Sequence, residues 1–415
     1  MVDYERHILE SGLTLLLHRD TETPMVTVNT LCGVGSRDER HDRTGFAHLF
    51  EHLMFGGTKR FPDYDREVER MGGESNAFTN SDFTNYYLTV PAGYAEQAIE
   101  LECDRMGGLD WSEKRLSVQQ RVVTEEYNQR YINQPYGDVW LLLRPLCFTK
   151  SPYRWCTIGA DIRHVADASL DDVKAFFARH YRPENAIMSV AGNIDCERVL
   201  SAVSGQPSLA SACKTPQYQR NTYEKEPQQT AARRLEVTRD VPSDAIYRAY
   251  TMCGRTDPDF VAYDIISDIL SNGKSSRLYE HLVRQRQLFS EINAYVTGDC
   301  GEGLFVVSGK LNKGVDMGRA EQAIDEELER IATERVSDSD LDKVASKFET
   351  TFVYSQYKAS DRALALCLYE WLGHTDWVNH EPDLYRQVTA ADIQRVASQC
   401  FGKERSNTLV VASGQ

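Results

Sequence analysis

The chain has 415 residues, of which 41% are hydrophobic and 26% charged, proportions that are typical of soluble globular proteins. This length exceeds one ordinary core, so we expect two domains of about 200 residues each. The net charge of −15, from 62 acidic and 47 basic residues, argues against a nucleic-acid partner, which would need a basic surface.

The amino-terminal sequence MVDYERHILESG has no basic start followed by an apolar core, so it does not resemble a secretory signal and we expect a cytoplasmic protein. The longest apolar runs, LTLLL at 13–17 and VWLLL at 139–143, are far shorter than a membrane span, and no membrane partner is expected. The ten cysteines stand singly without a CxxC pair, which predicts buried thiols rather than disulfides or a thiolate zinc site.

A short helix is predicted in TGFAHLFEHLMFGG, residues 44–57, with Thr44 or Asp42 as its N-cap and a glycine pair at its end. His48, Glu51 and His52 stand at i, i+3 and i+4, so they share one face of this helix. Two imidazoles one turn apart can bind one metal ion, and the carboxylate beside them can take a proton from water. The alternative is a core helix that carries two histidines by chance.

The order H-x-x-E-H is the reverse of the common zinc-protease H-E-x-x-H and is the signature of the inverzincins. Two histidines need a third ligand, and the best candidates lie in SVQQRVVTEEYNQRY, residues 117–131. Glu125 and Glu126 are adjacent and point about 100° apart on a helix, so only one of them can face a metal. The apolar periodicity of this segment does not decide between them.

A degenerate repeat divides the chain into two halves. TLCG at 30–33 is matched by TMCG at 251–254, ESNAFTNSD at 74–82 by EINAYVTGD at 291–299, and AEQAIE at 95–100 by AEQAID at 320–325. The alternation of strand and helix patterns predicts two homologous α/β domains. We place the first domain at 1–204, a polar linker rich in Pro, Gln and Ser at 205–232, and the second domain at 233–415.

The repeat allows the two copies of the histidine helix to be compared. Alignment of Gly57 with Gly273 puts Asp264, Ser267 and Asp268 where the first half has the two histidines and the glutamate. If the histidines only filled a core, we would expect apolar residues at the aligned positions of the second copy. The comparison therefore favours one half that carries a site and one half that supports it.

Three segments together resemble the pitrilysin/insulinase family of zinc metallopeptidases: HLFEH at 48–52, GGESNAFTNSDFTNYY at 72–87 and VVTEE at 122–126. The half-length chain is similar to bacterial members and to the catalytic subunit of the mitochondrial processing peptidase. The resemblance implies an α+β fold of two sandwich-like domains, each a mostly antiparallel sheet with helices packed on it. Together they would form one half of a metallopeptidase clamshell.

The resemblance implies that His48 and His52 are ligands of one zinc ion per chain and that Glu51 is the general base. It places the third zinc ligand at Glu126. Many members carry another glutamate seven residues earlier, where this chain has Gln119, which can still hydrogen-bond to a ligand as an outer-shell residue.

In the family, residues at the positions of Asn76, Ala77 and Phe78 lie on an edge strand that pairs with the substrate backbone. The resemblance therefore implies that extended peptides bind here by addition of a strand. Many relatives also hold the substrate carbonyl with an Arg and a Tyr of the second domain. Those positions are Val283 and Ser290 in this chain, so part of the transition-state stabilisation is expected to be missing.

Family clamshells contain four such domains, so we expect a dimer that encloses a chamber. The partner would be a second copy or a metal-free relative that supplies the Arg and Tyr. The first hypothesis is a zinc endopeptidase that cleaves peptides or unfolded segments. The second is a weakly active or inactive peptide-binding subunit that needs a partner to complete the active site.

Overall fold

The computed structural model describes residues 1–212 and 218–414. The chain forms two compact units. Unit 1 contains Met1–Tyr127, Trp155–Thr222 and Val353–His380, and unit 2 contains Asn128–Arg154, Tyr223–Phe352 and Glu381–Gln415.

Unit 1 is built on a six-stranded sheet with the order β1-β2-β6-β3-β5-β4. Its strands are β1 Glu5–Ile8, β2 Thr14–Arg19, β3 Met25–Cys32, β4 Glu74–Thr79, β5 Thr84–Pro91 and β6 Ala186–Gly192. Its helices are α1 Phe46–Leu53, α2 Tyr64–Arg70, α3 Ala95–Gly107, α4 Glu113–Tyr127, α6 Arg163–Ala166, α7 Leu170–His180, α8 Cys196–Ser204, α9 Pro207–Ala212 and α13 Ala359–Leu372. Strand β3 reads MVTVNTLC and is buried along nearly its whole length, as expected for a central strand that is covered on both faces.

Unit 2 is built on a five-stranded sheet with the order β7-β11-β8-β10-β9. Its strands are β7 Arg233–Arg239, β8 Ala245–Met252, β9 Phe289–Val296, β10 Gly303–Leu311 and β11 Asn407–Ser413. Its helices are α5 Val139–Cys147, α10 Phe260–Ser271, α11 Met317–Thr333, α12 Asp338–Tyr354 and α15 Ala390–Cys400, while α14 Trp377–Gln387 spans the boundary between the units.

The two sheets repeat one topology. In each, one parallel pair (β2 with β6, β7 with β11) is followed by three antiparallel pairings that end at an edge strand, β4 or β9. The repeated sequences fall on corresponding elements, because ESNAFT forms β4 and EINAYV forms β9, while the AEQAI sequences lie in α3 and α11. The predicted fold class, α+β with mostly antiparallel sheets covered by helices, is confirmed.

One helix in each unit comes from the other half of the sequence. In unit 1, the late helix α13 packs on β3 and β6, where Ser189 donates its hydroxyl to the carbonyl of Ala363 at 2.7 Å. In unit 2, the early helix α5 inserts Leu143 and Cys147 into a core that it shares with Val306 and Leu409. The contact units therefore include exchanged segments, and we propose the limits 1–204 and 233–415 as those of the duplicated sequence.

The predicted linker, 205–232, is more structured than its polar composition indicates. Its residues 207–212 form α9, which packs against α3 and buries Leu209, whereas residues 213–217 lie outside the described part of the chain. Further along, the carboxylate of Glu226 accepts hydrogen bonds from the backbone N–H groups of Thr149, Lys150 and Ser151. Apolar and carboxylate side chains within the segment thus bind it to the units.

The nine cysteines within the described residues are all free thiols, and six of them are buried. Burial raises the pKa of Cys32 and Cys147 to about 12, so these thiols are protonated packing groups. Over residues 1–212 and 218–414, no helix combines the length and the apolar composition that a membrane span requires.

Candidate metal centre

Helix α1, Phe46–Leu53, carries His48, Glu51 and His52. Its first residue follows Gly45, whose φ of 88° lies in the left-handed region, and Gly45 offers no side-chain cap. The prediction that Thr44 or Asp42 caps this helix is wrong. The hydroxyl of Thr44 instead accepts a hydrogen bond from the backbone of Ala160 at 2.8 Å.

The carboxylate of Glu39 takes the place of the missing cap. Its two oxygens accept hydrogen bonds from the backbone N–H groups of Gly45 and Ala47, each at 2.8 Å. These N–H groups belong to the first turn, which has no partners within the helix. Glu39 was not identified from the sequence, because it lies six residues before Gly45, outside the local positions at which caps are sought.

The three expected ligand atoms converge on one point. Nε2 of His48 lies 3.4 Å from Nε2 of His52, and each of these atoms lies 3.5 Å from Oε2 of Glu126. A tetrahedral ion with bonds of about 2.1 Å separates its ligands by about 3.4 Å, so the three atoms fit three corners of a zinc site. His48 is buried, whereas His52 and Glu126 are half-buried, which leaves access from one side.

The structure distinguishes the two adjacent glutamates of α4. Glu126 faces the histidines, while Glu125 is exposed. Val123 explains this orientation, because it is fully buried and stands three residues before Glu126 on the same side of the helix. Glu126 is thus placed beside the two histidines, whereas Glu125 is not.

Glu51 lies on the same helix as the histidines but does not belong to the group of converging atoms. Its Oε2 accepts a hydrogen bond of 2.7 Å from the hydroxyl of Thr79, the last residue of β4. This contact fixes one carboxylate oxygen of Glu51 at the end of β4. Thr79 is a second site residue that sequence reasoning missed, although it lies within the quoted ESNAFTNSD segment.

Asn76, Ala77 and Phe78 lie on β4, which pairs with β5 on one side only and is the edge strand of its sheet. Side chains alternate along a strand, so Ala77 and Thr79 point to the same face as the contact with Glu51. The side chain of Asn76 is exposed, and its Oδ1 accepts from the N–H of Ala77 at 2.8 Å. The free edge therefore runs beside the histidine helix.

Gln119 stands seven residues before Glu126 on α4 and is half-buried. It lines a pocket of about 270 Å³ between α1, α4 and α7, together with Leu53, Trp111 and Leu116. The expectation that Gln119 acts as an outer-shell residue stays a prediction.

The second copy of the helix, α10, uses the corresponding positions for internal hydrogen bonds. Asp264 accepts from the hydroxyl of Tyr385 at 2.5 Å, the hydroxyl of Ser267 donates to the carbonyl of Asp264, and Asp268 accepts from Asn272. Burial raises the pKa of the Asp264 carboxyl, and the Tyr385 hydrogen bond lowers it. These contacts account for the side chains of α10 by packing and hydrogen bonding alone.

Val283 and Ser290, at the positions of the expected Arg and Tyr, offer no donor of that kind. Val283 is partly buried against the core of unit 2, and the hydroxyl of Ser290 donates to the carbonyl of Lys310 at 3.2 Å.

Two family models match this chain, one mainly in each half of its sequence. A family model described as Insulinase (Peptidase family M16) matches residues 14–135, and one described as Peptidase M16 inactive domain matches residues 167–348. The zinc protease PqqE of Helicobacter pylori is 29% identical over 419 residues, which cover 98% of this chain and 92% of that protein. The probable mitochondrial-processing peptidase subunit beta of Arabidopsis thaliana is 24% identical over 83% of this chain and 66% of its own length.

A crystal structure of a protease from Helicobacter pylori superposes with a TM-score of 0.92 at 27% identity, covering 99% of this chain and 100% of that chain. Both halves of the sequence, the duplicated fold and these relatives point to one family. The chain therefore belongs to the insulinase family of peptidases, family M16, as a half-length member.

Proposed function

We propose that the protein is a zinc-dependent endopeptidase that hydrolyses peptides or unfolded segments. The observation that carries this proposal is the convergence of His48, His52 and Glu126 to separations of 3.4–3.5 Å, with Glu51 on the same helix. Membership of a peptidase family supports the reaction class, and the name of the relative PqqE, a zinc protease, supports the choice of metal.

His48, His52 and Glu126 would hold the zinc ion, which when bound supplies Lewis acidity that activates water and polarises a carbonyl. Glu51 takes a proton from the attacking water and returns it to the leaving amine. Thr79 keeps one oxygen of Glu51 occupied, so that proton transfer uses the other. The peptide is cleaved by addition of water across the amide bond.

The free edge of β4 supports an extended peptide as the substrate. Its unpaired backbone groups at Asn76–Phe78 can form an additional antiparallel or parallel pairing with a peptide strand. Recognition through the main chain makes limited demands on side chains, so we propose a broad sequence preference. Replacing a valine of a cleaved peptide with proline removes a backbone N–H. This change should reduce cleavage where that N–H pairs with β4.

Metal content and peptide cleavage test the proposal. The wild-type protein is expected to bind one zinc ion per chain and to lose cleavage when a chelator is added. Glu51→Gln should retain the zinc and lose cleavage by at least about 1,000-fold, because general acid–base catalysis and water activation fail together. Full activity of this variant, or no stoichiometric zinc in the wild type, would contradict the proposal.

A second candidate is a subunit that is weakly active or inactive until a partner completes its active site. Val283 and Ser290 favour it, since Val283 has no side-chain donor and the hydroxyl of Ser290 donates to the carbonyl of Lys310. The Arabidopsis relative is named as the beta subunit of a processing peptidase. We therefore propose a dimer that encloses a chamber, formed with a second copy or with a metal-free relative.

The molecular mass in solution, measured together with cleavage by the purified chain, separates the two candidates. A homodimer that cleaves peptides without any added protein would reject the need for a different partner. We also propose a cytoplasmic location, which the free thiols of the described cysteines support.

A further inference from the structure

Helix α1 needs support from outside itself. It has eight residues, and an isolated helix of this length is not stable in water. Its N-cap, Gly45, provides no side chain, and none could be added easily. A Cβ atom at Gly45 would lie 2.7 Å from Cγ2 of Val165 and 2.9 Å from the carbonyl oxygen of Ile158.

Glu39 supplies this support from a buried position. Both of its carboxylate oxygens are used, one by the N–H of Gly45 and one by the N–H of Ala47, the residue directly before His48. Burial raises the pKa of Glu39 well above its usual range, while the hydrogen bonds from Ala47 and Gly45 lower it. A carboxylate at a helix N-terminus also interacts favourably with the helix dipole.

The turn directly before Glu39 is bound to the segment that follows the edge strand. It is a 3₁₀ turn, Ser36–Asp38, in which the N–H of Ser36 donates to the carbonyl of Asn80 at 3.2 Å and the N–H of Arg37 donates to that of Ser81 at 2.9 Å. Asn80 and Ser81 directly follow β4. Glu39 therefore links the end of β4 to the start of the histidine helix.

We propose that Glu39 is a positioning residue of the metal centre, which sets the first turn of α1, and with it His48, against β4 and Glu126. The inference rests on the proposed function, because it concerns the same centre. Glu39 itself does not contact the ligand atoms. Its effect is expected in the affinity of the site for zinc rather than only in the stability of the fold.

The test compares Glu39→Gln with Asp63→Ala by zinc titration against a chromophoric chelator and by thermal unfolding of the zinc-free proteins. Asp63 is the matched control, because it is the N-cap of α2 in the same unit and accepts from the N–H of Arg66 at 3.1 Å, but α2 carries no ligand. Glutamine can accept only one of the two N–H groups and turns its own N–H₂ toward the other. Glu39→Gln is expected to weaken zinc binding by about 10–100-fold, the usual effect of losing an outer-shell partner.

Asp63→Ala should lower the unfolding temperature by a few degrees, as a lost cap does, and leave the zinc affinity within about twofold of the wild type. If Glu39→Gln does not fold, Glu39→Asp replaces it, because its shorter side chain keeps the charge but cannot reach both N–H groups. The inference about Glu39 would be overturned if the Glu39 variant bound zinc as tightly as the wild type, or if Asp63→Ala weakened zinc binding equally. Either result would leave the proposed function intact. A wild-type protein that binds no zinc would overturn the proposed function as well, so the two failures are distinguishable.

Discussion

The hydroxyl of Thr79 donates a hydrogen bond of 2.7 Å to Oε2 of Glu51, so the last residue of β4 contacts the proposed general base. Hydrogen bonds to charged groups contribute about 1.5–3 kcal/mol, which corresponds to about 10–100-fold in rate if the contact is needed in the transition state. Thr79→Val should therefore lower kcat for peptide cleavage by about that factor and leave zinc binding unchanged.

Thr89→Val provides the control for this substitution. Thr89 lies on the neighbouring strand β5, and its hydroxyl shares a hydrogen bond of 2.9 Å with that of Thr27, away from Glu51. Steady-state kinetics should show a near wild-type kcat for Thr89→Val. Equal kcat values for Thr79→Val and the wild type would mean that Glu51 does not depend on this contact.

The two adjacent glutamates of α4 offer a sharper pair of variants. Glu126→Gln removes the proposed third ligand, because an amide is a much weaker zinc ligand than a carboxylate. It should weaken zinc binding by more than about 100-fold, which exceeds the usual loss for an outer-shell partner. Glu125→Gln, at an exposed position on the same turn, should bind zinc like the wild type, and isothermal titration with zinc can compare the two. A similar loss in both variants would refute the assignment of Glu126.

The sequence was sufficient for the local chemistry but not for the contacts that position it. His48, Glu51 and His52 follow from helical spacing, whereas the choice of Glu126 over Glu125 depends on how α4 is rotated against α1, which periodicity leaves open. Glu39 and Thr79 act through contacts with residues 8 and 28 positions away, and no local pattern marks them.

In the fold, too, the sequence predicts the local elements but not the long-range contacts between them. The internal repeat predicts two similar sheets, and their strand orders do match. The exchange of α5 and α13 could not be predicted, because each helix has an ordinary apolar face and its sequence does not specify which sheet buries that face. The linker was predicted from its polar composition, yet the burial of Leu209 and the hydrogen bonds accepted by Glu226 bind it to the units.

Acid should destabilise the protein through His180. Burial, followed by the charge of Arg179, lowers the pKa of His180 to about 3, below the ordinary value of 6.5. Between these values the unfolded chain binds a proton that the folded chain does not. The stabilising contribution is therefore complete above about pH 6.5 and is lost as the pH falls toward 3.

The slope from this one group is at most about 1.4 kcal/mol per pH unit, or about 2 kcal/mol between pH 7.5 and 5. In His180→Phe, the drop in unfolding free energy over this range, measured by urea titration, should be smaller by that amount. His41→Phe, at an exposed histidine, should show the wild-type drop. An unchanged pH dependence in His180→Phe would show that His180 is protonated in the folded state.

The buried pair of Arg105 and Glu102 supports the layer beneath α1. Nη2 of Arg105 lies 2.5 Å from Oε2 of Glu102, and the guanidinium lies 4.6 Å from the ring centroid of Tyr86. The hydroxyl of Tyr86 in turn donates to the carbonyl of Phe50 in α1 at 3.3 Å. Loss of one partner leaves a buried charge uncompensated, so Arg105→Met should lower the unfolding free energy by about 3–5 kcal/mol.

The double variant Arg105→Met/Glu102→Leu tests whether the cost arises from the uncompensated charge. Replacing both charges with apolar side chains removes the buried carboxylate, and such replacements are often neutral or stabilising. The double variant should therefore be more stable than Arg105→Met, by at least about 1 kcal/mol in urea unfolding, although it has lost one more polar group. A double variant less stable than Arg105→Met would show instead that Glu102 is satisfied without the arginine, through the hydroxyls of Tyr64 and Thr30, which lie 2.6 Å and 3.4 Å from its carboxylate oxygens.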